Sequence, residues 1–303
     1  MAEKLNITVM LGGPSSEREV SLRSGAAVAK ALRSLGHTVQ ELDPKEPNWI
    51  LPPGTEVVFL ALHGSYGEDG TVQAELEKLY VPYTGCDPEA SRLAFDKVLT
   101  KKRCLEAGIP TAKFMVFDSP QAPWPAGWQP PVVLKPVRQG SSVGLQMVDN
   151  VSDFPAALAE AFRHDTQILM EEKILGRETT VGILGGKALP IVEVKVKQGI
   201  FDYKNKYTAG AAIHTCPPDM PAETLARIEG AALGAFQAIG GRDYSRVDVM
   251  VRPTGEPVVL EVNTLPGMTE LSVLPEAAAA AGLNYAQLCQ KMIDLALARS
   301  AKK

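Results

Sequence analysis

Short apolar runs alternate with amphipathic stretches in the N-terminal part of the chain. Ile7–Leu11, His37–Leu42 and Val57–Leu62 have the length and composition of buried strands. Ser21–Leu35 places apolar side chains at helical spacing, and Val72–Leu79 predicts a second helix behind a tight acidic turn. Because strands that alternate with helices usually pair in parallel, this part of the chain is predicted to be a doubly wound parallel α/β sheet.

Strands and loops dominate the centre of the chain. Four further strands are predicted, at Val132–Pro136, Leu145–Val148, Gln167–Glu172 and Glu178–Leu184. Helices are predicted at Asp96–Ala107 and Ala222–Gly240, together with one that is capped by Ser152 and Asp153 and ends at Phe162. The stretch Ser119–Pro131 is rich in Pro and Trp, which indicates a connection between two units.

A polar face follows the hairpin that is predicted across Arg246–Asn263. Two β-branched runs flank a Pro-Thr-Gly-Glu turn, as in a β-hairpin. Side chains alternate along a strand, so Arg246 and Asp248 share one face, as do Glu261 and Asn263 on the second strand. Carboxylate and amide oxygens suit Mg²⁺. The other interpretation is a salt-bridged face on which Arg246 neutralises Asp248, and the hairpin by itself leaves both open.

Composition indicates a globular cytoplasmic protein. A chain of 303 residues predicts two or three compact units, and its 45% hydrophobic and 22% charged residues are ordinary for a globular protein. The net charge of −4 argues against nucleic acid as the main partner. Cys86, Cys104, Cys216 and Cys289 lack metal-ligand spacing and are expected to be reduced thiols. No apolar run approaches the ~20 residues of a membrane span, and no signal peptide is predicted.

A small-residue loop follows a strand that ends in lysine. Lys135 closes one predicted strand, and Gln139–Gly144, with the sequence QGSSVG, returns to the next. Backbone N–H groups and serine hydroxyls of such a loop can cover phosphates while the lysine neutralises their charge. The Walker pattern is absent, which excludes a P-loop fold. A plain hairpin loop is the alternative interpretation.

Two further strand ends carry candidate site residues. Gly12 and Gly13 follow the first strand, but no G-x-G-x-x-G is present, so NAD binding is not expected. Glu17 lies where the next helix begins and could contact an ammonium or hydroxyl group. His63 closes its strand at the carboxyl end, where ligands bind in open α/β sheets, although a lone histidine there is more often structural.

Two segments have weaker signals. Lys97, Lys101, Lys102 and Arg103 give the helix at 96–107 a basic side, and a solvated face accounts for most of them. Gly199–Tyr207 is aromatic, basic and irregular, which is typical of a lid over a site.

These segments, in this order, resemble the ATP-grasp ligases, and among them the family that joins D-alanine to D-alanine. The resemblance is carried by Leu11–Ser21, Ala61–Gly70, Leu134–Gly144, Phe201–Tyr207, Arg246–Met250 and Glu261–Ser272. It implies an N-terminal α/β domain at residues 1–95, a central ATP-grasp lobe at 96–178 and a C-terminal ATP-grasp lobe at 179–303.

The resemblance also implies site residues. Those expected at the nucleotide are Lys97, Lys135, Ser142, Glu171, Glu172, Ile174, Glu178 and Lys206, with the residue that supplies the adenine backbone contacts left open among Glu172, Lys173 and Ile174. Those expected at two Mg²⁺ or Mn²⁺ ions are Asp248, Glu261 and Asn263. Those expected at the substrates are Glu17, Ser141, Tyr207 and Arg246, which take part in catalysis or lid closure, and His63, Gly267, Ser272 and Val273.

The reaction that the resemblance implies is ATP-dependent. One D-alanine is phosphorylated to an acyl phosphate, the amine of a second attacks it, and the dipeptide serves peptidoglycan precursor synthesis. The family further implies a homodimer. The alternatives are a ligase that takes D-lactate as the second substrate, which Tyr207 disfavours, and a nucleotide-binding regulator without activity.

Overall fold

The computed structural model describes residues 4–46, 48–196 and 212–300, which form three β-sheets with helices packed on them. The strands of the described ranges are β1 Asn6–Met10, β2 Thr38–Leu42, β3 Val57–Leu60, β4 Phe114–Phe117, β5 Val132–Pro136, β6 Gln146–Val148, β7 Ile168–Glu172, β8 Arg177–Leu184, β9 Lys187–Ala188, β10 Val192–Val196, β11 Ala212–Thr215, β12 Tyr244–Val251 and β13 Pro257–Asn263. The helices are α1 Arg18–Ser34, α2 Thr71–Lys78, α3 Pro88–Phe95, α4 Lys97–Glu106, α5 Phe154–Ala161, α6 Ala222–Ala238, α7 Val273–Ala280 and α8 Tyr285–Ser300, with a 3₁₀ turn at Val151–Asp153.

The N-terminal sheet is parallel, as predicted, in the order β2-β1-β3. Its strands and α1 bury one apolar core, to which Val28, Leu32 and Phe59 contribute fully buried side chains. The end of the chain completes this core, because Leu288 and Met292 of α8 are buried in the same cluster. The helices at the C-terminal end of the chain therefore help to form the core of the N-terminal sheet, although they follow the C-terminal sheet in sequence.

The central sheet is antiparallel in the order β4-β7-β5-β6 and packs on α5. The prediction that Ser119–Pro131 connects two units is wrong, because this stretch joins two strands of one sheet. Trp128 is buried in the core of that sheet, and the Trp124 ring meets Phe154 of α5 edge-on at 5.2 Å. The aromatic residues of the stretch are thus core residues of the central lobe.

The C-terminal sheet has the order β11-β10-β8-β12-β13, and β9 pairs with β8. The predicted hairpin is confirmed as β12–β13, with Arg246 opposite Asn263 and Asp248 opposite Glu261. The register shifts after Asp248, which marks a β-bulge beside these polar residues. Within the described ranges no helix combines the length and the apolar character that a membrane crossing requires.

Two helix starts differ from their predicted form. Asp96 precedes α4 and caps it, with its side chain accepting from the Val98 and Leu99 amides. The predicted cap of α5 is not formed: Ser152 and Asp153 lie in the 3₁₀ turn, and the Asp153 side chain accepts no capping hydrogen bond. The domain ranges 1–95, 96–178 and 179–303 stay a prediction, although β8 of the third sheet begins at Arg177.

Candidate active site

A large cavity lies between the central and C-terminal sheets. Its free space is about 1180 Å³ including the open mouth, which is ample for a nucleotide. The predicted nucleotide residues within the described ranges all line it, namely Lys97, Lys135, Ser142, Glu171, Glu172, Ile174 and Glu178. Asp248 and Glu261 of the hairpin line its inner end. Two antiparallel sheets that clasp one cavity are the arrangement expected of an ATP-grasp fold.

A buried carboxylate lies between two lysines at the wall of this cavity. Glu171 on β7 is 2% exposed, and its Oε2 lies 2.5 Å from Nζ of Lys135 on the neighbouring strand β5. Its Oε1 pairs with the ammonium of Lys101 on α4. Burial by itself raises the pKa of a carboxyl, but the two lysines outweigh it and lower the pKa of Glu171 to about 2. The carboxylate is therefore ionised at neutral pH.

At the edge of the cavity, Glu172 joins the two lobes. Its Oε1 accepts from the Lys113 amide at 3.1 Å and from Nη2 of Arg252, at the end of β12, at 2.9 Å. The Glu172 amide is also engaged, because it donates to the Lys113 carbonyl at 3.0 Å. The choice of backbone contact among Glu172, Lys173 and Ile174 stays open, because all three line the cavity.

The loop Gln139–Gly144 covers the inner end of the cavity and contacts the N-terminal domain. Ser141 donates a hydrogen bond from its hydroxyl to Glu17. A side chain at Gly140 would require Glu17 to move, because its Cβ would lie 2.6 Å from Oε2 of the same glutamate. Ser141 and Ser142 have φ values of 52° and 59°, a left-handed conformation that costs a serine free energy and is typical of functional loops.

The polar face of the hairpin forms ion pairs that span two lobes. Arg246 donates from Nε and Nη2 to the two Asp248 oxygens at 2.9 and 2.8 Å, so the salt-bridged interpretation is correct for this pair. Lys97 on α4 lies 3.6 Å from Glu261 and donates to the Gln139 carbonyl at 2.6 Å. These contacts hold the hairpin, α4 and the loop Gln139–Gly144 together.

A smaller cavity adjoins the first and reaches the N-terminal domain. It is lined by Glu17, His63, Glu68, Lys97, Gln139, Ser141, Arg246, Glu261, Asn263 and Gly267, among others. Lys97, Gln139 and Glu261 line both cavities, so the two spaces adjoin at these side chains. A group at the inner end of the larger cavity would therefore lie next to a small molecule in the smaller one.

His63 is fixed by three partners in the smaller cavity. Its Nδ1 lies 3.1 Å from the Leu265 carbonyl, which can only accept, so Nδ1 carries the hydrogen of the neutral ring. Nε2 then accepts from the Ser24 hydroxyl at 3.2 Å, and Ser24 accepts from the Met268 amide. Glu68 lies 3.5 Å from Nδ1, and burial raises the pKa of its carboxyl.

Several predicted residues fall elsewhere. Ser272 accepts from the Thr269 amide at 3.0 Å just before α7, and Val273 packs in the N-terminal core, so neither lines the two cavities. Asn263 lines the smaller cavity but accepts from the Leu265 amide. Lys206 and Tyr207, with the rest of the predicted lid, lie outside the described residues.

Three site residues were missed by the sequence reasoning. Lys101 was assigned with its neighbours to a solvated face, which is wrong for this residue, because its side chain is only 1% exposed. Its spacing of four from Lys97 places both on one helix face, and that was the available signal. Glu68 was assigned only to a helix-capping turn. Ser24 carried no signal, since a small polar residue on a helix facing a sheet is common.

Fold and site together define an ATP-grasp ligase. The D-ala D-ala ligase C-terminus and N-terminus family models match residues 104–294 and 40–86. The D-alanine–D-alanine ligases of Methylacidiphilum infernorum and Aquifex aeolicus are each 43% identical to this chain, over 97% and 95% of it and over 96% and 100% of their own lengths. The crystal structure of D-alanine–D-alanine ligase from Bacillus anthracis complexed with ATP aligns with a TM-score of 0.86 at 33% identity, covering 99% of each chain. The chain belongs to the D-alanine–D-alanine ligase family.

Proposed function

We propose that this chain joins two D-alanine molecules in an ATP-dependent reaction, with D-alanyl phosphate as the intermediate and peptidoglycan precursors as the destination. The observation that carries the proposal is that the two cavities adjoin at Lys97, Gln139 and Glu261. A phosphoryl donor in the larger cavity and an amino acid carboxylate in the smaller one would meet there. Membership of the family supplies the identity of the substrates.

In this proposal the larger cavity holds ATP. Lys135 and Lys97 supply positive charge to its phosphates, and the left-handed Ser142 presents the loop backbone to them. Glu178, on the opposite sheet, is placed to accept from ribose hydroxyls. Adenine lies at the edge formed by Glu172–Ile174, which lines this cavity.

The hairpin residues fit Mg²⁺ or Mn²⁺. Asp248 and Glu261 face each other across the register, and Asn263 adds an amide oxygen, so the donors are hard and few, as suits a cation that shares its coordination with phosphates. The described ranges contain no cluster of three or more His, Cys, Asp or Glu residues that could hold a metal ion. When bound, such ions would neutralise negative charge on the phosphates.

The smaller cavity orients the substrates. Glu17, held by Ser141, provides a carboxylate for the ammonium group of the first D-alanine, and His63 in its fixed tautomer lies beside it. Arg246 and the Gly267 amide line the same space and can donate to the oxygen that gains negative charge when the amine attacks. Ser272 and Val273 do not line this cavity, and their contact with the carboxylate of the second D-alanine, at the N-terminus of α7, stays a prediction.

Phosphate release tests the function. The enzyme with ATP and Mg²⁺ is supplied with D-alanine, and L-alanine and D-alanine plus D-lactate serve as comparators. We expect D-alanine-dependent phosphate release with one dipeptide formed per phosphate. Depsipeptide as the main product would assign the enzyme to D-lactate, and nucleotide binding without turnover would assign a regulatory role.

We also propose a cytoplasmic location and a homodimer. All four cysteines are free thiols, which is the usual state in a reducing compartment. The proposal of a homodimer rests on family membership, and sedimentation at several protein concentrations in an analytical ultracentrifuge tests it.

A further inference from the structure

Lys101 is a buried cation that does not line the nucleotide cavity. Its ammonium pairs with Glu171, donates to Oγ1 of Thr111 at 2.6 Å and lies 5.4 Å from the centre of the Phe114 ring. The Ala112 carbonyl is at the limit of hydrogen bonding, 3.5 Å away. Burying a lysine is costly unless a charge partner compensates for the lost hydration. A requirement for its charge at this place is the simplest reason for keeping it.

Glu171 separates the two lysines of this cluster. Lys101 approaches the carboxylate from behind, on the side of α4, and Lys135 approaches it from the cavity, where 17% of its side chain is exposed. One carboxylate between two ammonium groups leaves a net charge of one positive unit. Without Lys101, Glu171 would cancel the charge of Lys135, and this cluster would present no net charge to the phosphates.

The same lysine is connected to the hairpin. Thr111, which accepts from Lys101, donates in turn to the Val259 carbonyl at 2.9 Å, two residues before Glu261. The Val259 amide donates to the Pro110 carbonyl at 2.9 Å. Lys101 therefore lies in a chain of contacts that fixes β13 against the central lobe.

We propose that Lys101 is a positioning residue for the nucleotide: it neutralises the buried Glu171 carboxylate and so keeps the charge of Lys135 available to the phosphates. This inference rests on the proposed function in that ATP is the ligand of the larger cavity. It assigns Lys101 no contact with ATP.

Nucleotide binding by calorimetry tests the inference. Lys101→Met keeps the length of the side chain and removes its charge, and affinities for adenosine, ADP and ATP are measured at fixed Mg²⁺ and ionic strength. We expect ATP and ADP to bind about 10- to 100-fold more weakly, because one net charge facing the phosphates is lost. Adenosine should change by less than about threefold. Lys102→Met, an exposed neighbour on α4, is the matched control and should alter none of the three.

A charge-restoring pair separates this role from a structural one. Lys101→Met with Glu171→Gln removes one charge of each sign and returns the cluster to one positive unit. The quantity to compare is the dissociation constant of adenosine divided by that of ATP, because contacts with adenine affect both constants and cancel in this ratio. In the double variant the ratio should return to within about threefold of the wild-type ratio. If Lys101→Met alone does not fold, Glu171→Gln decides, because its extra positive charge should raise the ratio above wild type.

Two results overturn the inference: equal weakening of all three ligands by Lys101→Met, or a ratio that does not follow the charge of the cluster. A wild-type enzyme that binds no ATP would remove the proposed function and this inference together. A wild-type enzyme that binds ATP and releases phosphate with D-alanine, beside an unchanged ratio in Lys101→Met, would remove only the role of Lys101.

Discussion

Glu261→Gln should separate catalysis from folding. Glu261 lies where the two cavities meet, 3.6 Å from Nζ of Lys97 and 4.0 Å from Nη2 of Arg246. Glutamine keeps the shape and removes the charge. Neither cation is left unpaired, because Lys97 still donates to the Gln139 carbonyl and Arg246 still forms its paired contact with Asp248. Since the lost pairs are long and partly exposed, we expect the free energy of unfolding to change by no more than about 1 kcal/mol.

Turnover should fall much further. Glu261 is one of two facing carboxylates proposed to hold metal ions beside the phosphates, and loss of one such electrostatic element typically costs about 10²-fold, equivalent to about 2.7 kcal/mol in the activation free energy. The assay is D-alanine-dependent phosphate release across a Mg²⁺ titration, with thermal melting to check the fold. Glu256→Gln, an exposed carboxylate on the turn of the same hairpin, is the control and should be silent. Near-normal turnover of Glu261→Gln at saturating Mg²⁺ would refute the metal assignment.

Three further predictions concern individual groups. Lys135→Ala should weaken ATP binding at least about tenfold in calorimetry, with the KM for D-alanine within about twofold, because it removes a phosphate contact; equal changes would indicate a structural role. Ser24→Ala removes the hydroxyl between His63 and the Met268 amide, so the KM for D-alanine should rise while ATP affinity stays within about twofold, and an unchanged KM would show that His63 needs no support from Ser24. Glu171, with its pKa lowered from 4.5 to about 2, contributes stability that is present above the unfolded pKa and is lost as pH falls through about 2. Denaturant titrations over this window should show the loss in wild type and a flatter dependence in Lys101→Met with Glu171→Gln.

Local patterns predicted elements well where one face or both faces of a segment are buried. The alternation along β12 and β13 predicted which side chains share a face within each strand, and the register of the structure then pairs Asp248 with Glu261. The run Val132–Pro136 is a strand with the predicted ends. β10 was missed, although Val192 and Val194 alternate with a polar residue. That residue, Glu193, is itself buried and pairs with Arg177, so the alternation does not separate a buried face from an exposed one.

Long-range contacts were beyond local reasoning. Trp124 and Trp128 resemble linker residues in a Pro-rich stretch, and only the position of α5 shows that they are core residues. Lys101 resembles its exposed neighbour Lys102, and only the position of β7 supplies Glu171 as its partner. Such roles depend on segments far apart in sequence, which pattern and propensity do not specify.

The salt-bridge and metal-site interpretations of the hairpin involve the same charged residues and differ in what each residue pairs with. In the structure Asp248 is neutralised by Arg246 and Glu261 faces Lys97, while Glu171 faces Lys135 deeper in the cavity. In the proposed function, ATP with a divalent cation would bring positive charge to the carboxylates and negative charge to the cations. Exchange of partners would then keep each group neutralised, so a site preassembled from ion pairs can bind a highly charged ligand without leaving a buried charge unpaired. Lys101 is the exception, because its contact with Glu171 lies behind the cavity wall, where a ligand of the cavity would not replace Glu171 as its partner.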